Sequence, residues 1–146
     1  MRNGFTLIEL VMVVLILGIM AAVAIPRFVG LQDSTKVALF KGATGSLVSG
    51  LGTAYALKGG EYPTLTELVD NSYTAKDGEE QNIMDASDFE LSQTSPGAGI
   101  EEVGAAPADP GEGWEAVYLY YPSETNAEYY TQIWYNEDEG RLEDGL

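Results

Sequence analysis

Glu9 is the one charged side chain between Phe5 and Ile25 in the opening stretch MRNGFTLIELVMVVLILGIMAAVAIP. If that stretch enters a membrane, its carboxylate costs at least about 2.5 kcal/mol and so marks a function or a partner. The chemistry open to it is charge pairing. An α-amine on Phe5, released if the chain were cut after Gly4, would be its counter-charge. Within one helix that amine lies a full turn away, whereas a neighbouring copy could bring it directly onto the carboxylate. Breaking such a pair in low dielectric costs about 3–5 kcal/mol, so it acts as a register check during assembly.

Other chemistries are narrowed by what is missing. The chain has neither Cys nor His, which removes disulfides, thiol nucleophiles, imidazole bases and ordinary zinc sites. Carboxylate pairs and Ser-Lys arrangements remain, but no spacing singles one out. The chain therefore reads as a non-enzyme without a cofactor. Two acidic clusters are calcium candidates: Asp109 with Glu112, and Glu137, Asp138, Glu139 with Asp144. Oxygen ligands suit calcium, yet neither loop repeats its ligands regularly, and solvated turns are the plainer reading. With 23 acidic side chains against 7 basic ones, the surface repels phosphate backbones, and no broad nucleic-acid binding is expected.

The elements that position these residues begin with the apolar segment. From Phe5, about 21 residues at about 1.5 Å each reach roughly 31 Å, the thickness of a bilayer's hydrocarbon core. The part before it, MRNG, is shorter than a secretory signal's basic region, and the segment flows into further helical sequence, so a retained membrane anchor is expected. Arg2 favours a cytoplasmic N-terminus while Arg27, Lys36 and Lys41 oppose it, and charge alone leaves orientation open. Gly18 and Ala22 form a small face suited to close helix packing. Pro26 lacks an N–H and disfavours helical geometry at Ile25.

Beyond Pro26, Val37, Phe40, Leu47, Leu51, Ala54 and Leu57 recur on one helical face. Lys58-Gly59-Gly60 then supplies a cation and a glycine stop. One helix from the leader to about Lys58 is expected, the alternative being a break near Gly42 to Gly45. Gly42, Gly45, Gly50 and Gly52 weaken that helix by roughly 1 kcal/mol each, which implies close packing on a sheet or on neighbouring helices. Thr64-Leu65-Thr66-Glu67 has capping-box spacing for a short helix through about Val69. Asp70 to Gly113 is acidic and weakly periodic and reads as a loop, anchored by Ile83-Met84 and Phe89-Leu91. Trp114–Tyr121 and Tyr129–Tyr135 read as strands, with Pro122-Ser123 ending the first. Asn136 to Gly140 turns into a third strand around Arg141 to Glu143. The fold class is α+β: a long N-terminal helix packed on a small antiparallel sheet. Tyr118, Tyr120, Tyr121, Tyr129, Tyr130, Trp134 and Tyr135 form a dense aromatic set that cross-strand packing mostly explains.

The first 30 or so residues closely resemble the N-terminus of type IV pilins and of the pseudopilins of type II secretion. The match rests on a short basic leader ending in Gly4, Phe5 after it, TLIEL with Glu9, Gly18 within the apolar run and Pro26 at its end. Arg27 to Ala56, with LQD after the proline and a run of Gly, Ala and Ser, looks like the helix of mannose-sensitive haemagglutinin-type pilins. The resemblance implies a leader over 1–4, a helix over 5–58 (5–26 in the membrane or filament core, 27–58 amphipathic), an αβ-loop over 59–113 and a C-terminal sheet over 114–146. It implies cleavage between Gly4 and Phe5 by a prepilin peptidase, N-methylation of Phe5, and assembly through Glu9, Gly18 and Pro26. Between Gly18 and Pro26 the helix would melt in a filament, while an isolated subunit keeps it continuous. Implied partners are other copies, related pilins, the peptidase and the inner-membrane assembly machinery. The chain would stand in the bacterial inner membrane, N-terminus cytoplasmic, before entering an extracellular filament.

Three functions follow: a structural subunit of a pilus for attachment or motility, a pseudopilin of a short periplasmic secretion filament, and an anchored module whose aromatic sheet binds sugar. Major pseudopilins carry a C-terminal calcium site, for which Glu137, Asp138 and Asp144 are the candidates. Many pilins close the C-terminal loop with a disulfide, which this chain, lacking cysteine, cannot form.

Overall fold

A run of apolar side chains free of helix-breaking polar residues, followed by an amphipathic stripe, gives one long helix. The computed structural model describes residues 5–85, 89–121 and 127–146, with the backbone alone at 25–30. It falls into two compact units, one ending at Lys36 and one formed by Val37–Leu146. Helix α1, Leu7–Lys58, is 52 residues long and runs unbroken through Gly18, Pro26 and the Gly42–Gly45 stretch. In the first unit every residue of Leu7–Ala24 is exposed or nearly so, and the segment is long and apolar enough to cross a membrane. A helix apolar on all sides with nothing packed on it is built for lipid or for other helices.

In the second unit α1 becomes two-sided. Phe40, Ala43, Leu47, Leu51 and Ala54 are buried in one core cluster, with Val37 partly buried against it. Leu57, expected on that stripe, faces out with 44% exposure. The next packed position is four residues past Ala54, where Lys58 lays down its stem and turns its ammonium to Glu67. Gly59 and Gly60 then take positive φ, and the Gly60 amide returns to the Tyr55 carbonyl at 2.9 Å, closing a Schellman cap.

The core's other wall is a five-stranded sheet. Strands β5, Glu115–Tyr121, and β6, Tyr129–Asn136, pair antiparallel along their whole length, with Val117 opposite Ile133 and Leu119 opposite Thr131. Their alternation turns Val117, Leu119, Ile133 and Tyr135 inward, all at 1% exposure or less. Strand β3, Glu90–Ser92, pairs with the outer edge of β5. The outer edge of β6 is shared: β4, Glu101–Glu102, pairs parallel with Tyr129 and Tyr130, and β7, Arg141–Asp144, antiparallel with Ile133 to Asn136. The stretch 70–113 is therefore not a plain loop. It holds β3, β4 and a separate hairpin of β1, Ser72–Thr74, and β2, Glu80–Asn82. These strands are two or three residues long and mostly polar, which leaves no period-2 signal to read. Ile83, Met84 and Leu91 are buried and Phe89 packs on the cluster. Asn71, in the left-handed region at φ 52, clamps the segment by exchanging two 2.9 Å hydrogen bonds with the Met84 backbone. The expected stop at Pro122-Ser123 lies outside the described residues.

Helix α2, Leu65–Val69, starts on a complete capping box between Thr64 and Glu67. Glu67 also receives Lys58 Nζ at 2.5 Å, and the Leu65 amide donates to Glu137 at 3.0 Å. One short helix thus ties the end of α1 to the β6–β7 turn. Partial burial works against the Glu67 charge, but the Lys58 hydrogen bond, the Thr64 amide, the Lys58 charge and the Thr64 hydroxyl outweigh it and hold its carboxyl below the usual 4.5. A depressed folded value stabilises above the unfolded value and is lost as pH falls through the folded one. Urea unfolding of the full chain in detergent, followed by Trp114 and Trp134 fluorescence, should lose stability as pH drops below about 4.5. Glu67→Gln should cost about 1 kcal/mol at pH 7 and flatten that acid limb.

Helix α1 and the segment that follows β2 approach closely at Gly50. A Cβ on Gly50 would run into the Ile83 carbonyl, whereas one on Gly45 would meet nothing within 4 Å. Gly50→Ala should therefore destabilise by about 1–3 kcal/mol in the same assay. Gly45→Ala should be neutral or gain up to about 1 kcal/mol.

Candidate assembly site at the N-terminus

Phe5 and Thr6 precede the helix, and Leu7 opens it. Thr6 stands at the N-cap and Glu9 three residues on. The Thr6 amide donates to Glu9 Oε2 at 2.8 Å and the Thr6 hydroxyl to the same oxygen at 2.6 Å. In return the Glu9 amide donates to Thr6 Oγ1 at 3.4 Å. Thr6-Leu7-Ile8-Glu9 is thus a capping box, the same motif as Thr64 to Glu67. Two functions converge on one carboxylate: it satisfies amide and hydroxyl donors that an apolar surrounding would leave costly, and its charge sits at the helix's positive end.

Sequence reasoning assigns Glu9 to an amine on another molecule and overlooks this local bond, although the Thr-x-x-Glu spacing was the signal. Gly4, the other half of the expected cleavage site, lies outside the described residues. Phe5 is 80% exposed. Gly18 has nothing within 4 Å of where its Cβ would be, which leaves the Gly18–Ala22 face open for a neighbouring helix. At Pro26 the backbone is helical.

The acidic C-terminal residues are not gathered into a cation site. Glu137 is spent on the Leu65 amide, Glu139 pairs with Arg141 at 3.2 Å, and Asp109 folds back on the Gly111 amide. Among the described residues no group of three or more metal-ligating side chains forms. Glu137, Asp138 and Asp144, the candidates that pseudopilin likeness implies, do not form such a group.

The aromatic set is spent largely on the fold. Tyr120 lies opposite Tyr130, Tyr121 opposite Tyr129 and Trp134 opposite Ala116. Tyr120 Oη donates to the Thr94 carbonyl, Trp134 Nε1 to the Pro107 carbonyl and Tyr135 Oη to the Pro63 carbonyl. Burial, then the Glu102 charge and hydrogen bond, raise the Tyr130 hydroxyl above its ordinary value. The polar tips of Tyr120, Trp134 and Tyr135 are thus turned into the chain.

Comparison with known proteins finds likeness over this same segment. Residues 1–25 match the family model of the prokaryotic N-terminal methylation motif. The chain is 40% identical over 63 residues to the type II secretion system core protein G of Pseudomonas aeruginosa, covering 43% of this chain and 44% of that protein. It is 56% identical over 36 residues to the type IV narrow pilus major component PilA5 of Thermus thermophilus, covering 25% of this chain and 31% of that one. The chain spans less than half the length of either curated relative. No solved structure matches. Over this N-terminal segment the chain is similar to type IV pilins and pseudopilins.

The capping box gives a direct test. Thr6→Val removes a hydroxyl from a cap worth about 1 kcal/mol. Hydrogen exchange of the chain in detergent micelles should speed up at the amides of Leu7 to Leu10 and stay unchanged beyond Gly18.

Proposed function

We propose that the chain is a structural subunit of a type IV pilus, held in the inner membrane by α1 before it polymerises. The observation that carries this reading is the N-terminal pair of features: an apolar helix face exposed on every side and one carboxylate at its third position. Cleavage between Gly4 and Phe5 by a prepilin peptidase, then methylation of Phe5, leaves a secondary amine beside Thr6. Glu9 then exchanges its Thr6 bonds for the amine of an adjacent copy. An ion pair replaces bonds in which only the acceptor is charged, and adds the attraction of two opposite charges in a low-dielectric surrounding. The exchange rewards docking in one axial register and penalises the others. Gly18 to Pro26 is the stretch that gives up helical form as the fibre stretches.

In this role the chain carries out no reaction. Attachment and motility follow from the filament, whose partners are further copies, related pilins and the inner-membrane assembly machinery. Before assembly the N-terminus is cytoplasmic; afterwards the filament is extracellular. The 63-residue match to a secretion core protein supports a second reading, a pseudopilin of a short periplasmic filament. Long sheared surface filaments speak for the first, and short ones confined to the periplasm for the second.

Intact mass of assembled subunits should equal Phe5 to Leu146 plus one methyl group. Glu9→Ala should keep a membrane-inserted pool while filament yield falls at least tenfold. An uncut N-terminus, or normal yield from the variant, would overturn the mechanism.

A further inference from the structure

Tyr55 stands in the last turns of α1, and Tyr62 follows the glycine stop. Gly59 and Gly60, both at positive φ, fold the chain back on itself. The two rings meet with centroids 4.4 Å apart and planes 33° from parallel. Tyr62 is backed from its other side as well. A Cβ on Gly140 would fall 2.1 Å from its ring, so the bare backbone of the β6–β7 turn lies against it. The Tyr62 ring is thus held between Gly140 and Tyr55.

Packing accounts for two rings but not for two hydroxyls, since phenylalanine would stack as well. Tyr55 is 40% exposed, and the pair lines an open cleft of about 420 Å³ together with Glu61, Glu137 and Asp138. Other tyrosine contacts differ in distance and access. Tyr118–Tyr130 and Tyr120–Tyr130 have centroids 6.2 and 6.3 Å apart, and Tyr120 is buried with its hydroxyl on the Thr94 carbonyl. Tyr55 and Tyr62 combine ring contact, solvent access and neighbouring carboxylates that can take up protons.

We propose that Tyr55 and Tyr62 are a site of oxidative coupling, joined by a dityrosine bond when a peroxide-derived one-electron oxidant reaches the cleft. Each phenol gives one electron to the oxidant and its hydroxyl proton to water or to a carboxylate of the cleft. The two phenoxyl radicals combine through the ring carbons beside their oxygens. Each of those carbons then passes its hydrogen to the oxygen as the ring becomes aromatic again. Across the reaction the pair loses two hydrogen atoms, and one hydrogen peroxide is reduced to two waters. Rings already in contact need no encounter by diffusion, which favours this pair over tyrosines on separate molecules. The new bond closes the loop across Gly59-Gly60 and ties the end of α1 to the segment before α2. It is a covalent staple in a chain that has no cysteine, and it does not depend on the filament reading.

The test uses the full-length chain, dilute in detergent micelles, treated with hydrogen peroxide and a haem peroxidase. Dityrosine fluorescence should appear in the monomer. Proteolysis after Lys58 should leave the Tyr55 and Tyr62 peptides joined, lighter than their sum by two hydrogens. Tyr55→Phe and Tyr62→Phe keep the stacked rings, and each should cut the monomer's fluorescence about tenfold. Tyr118→Phe should leave it unchanged. The coupled chain should also unfold at a higher urea concentration than the untreated one. Coupling spread evenly over the tyrosines, or found only between molecules, would overturn the site. An unchanged urea midpoint would overturn the staple.

Discussion

An ionised carboxylate on an apolar helix must be answered by donors or counter-charge, and the proposed assembly turns on how Glu9 is answered. In the single molecule the answer is local: Thr6 offers both its amide and its hydroxyl to one oxygen. That arrangement suits the proposed membrane-held subunit, since it satisfies helix-end donors that lipid cannot. It is also replaceable. The donors are neutral and sit at the exposed tip of the helix, so a cationic amine brought up by another copy competes with them on favourable terms. A carboxylate buried under packed side chains would not be open to such exchange.

The second unit applies the same division of labour to a helix surface. One side of α1 is committed to the core, where Phe40, Leu47 and Leu51 are nearly inaccessible and Gly50 admits the Ile83 carbonyl. The other side carries glycines that cost helix stability and earn nothing within the molecule. Around it the short α2 helix fastens the end of α1 to the β6–β7 turn through Lys58, Glu67 and Glu137. With no disulfide available, that polar clasp and the Tyr135 bond to the Pro63 carbonyl hold the C-terminal strands in place.

Which parts of this were legible in the sequence depends on how far apart the interacting residues stand. Features set within four residues could be read: the capping box at Thr64, the glycine stop after Lys58, the alternating strands Glu115–Tyr121 and Tyr129–Asn136. The box at Thr6 has identical spacing, and a reading drawn to the cost of the Glu9 charge passes over the cheap local remedy. Strands β1 to β4 were hidden because their pairing is decided by partners far along the chain, and residues such as Glu80, Gln81 and Asn82 carry no hydrophobic period. The bond from the Leu65 amide to Glu137 spans 72 positions and leaves no local trace. Gly50 and Gly45 look alike in sequence; only the position of the Ile83 carbonyl separates them.

Charge distribution sets the terms on which copies can come together. Apart from Glu9 and Asp33, every acidic side chain lies beyond Lys36, opposed there only by Lys41, Lys58, Lys76 and Arg141. Lys58 and Arg141 are already engaged within the fold. Units so alike in sign repel one another, and the repulsion falls off over about 8–10 Å at physiological ionic strength. Close association therefore has to be driven by contacts stronger than this background, and the apolar Leu7–Ala24 segment, lying among its own kind, is the obvious source. Repulsion between the outer units then favours arrangements that bring the few free cations against carboxylates and disfavours every other offset. In the proposed filament a strongly acidic second unit would thus work as a selector of register: attraction through the apolar segment would supply the energy of association, and like charge in the second unit would narrow the geometries in which that energy can be used.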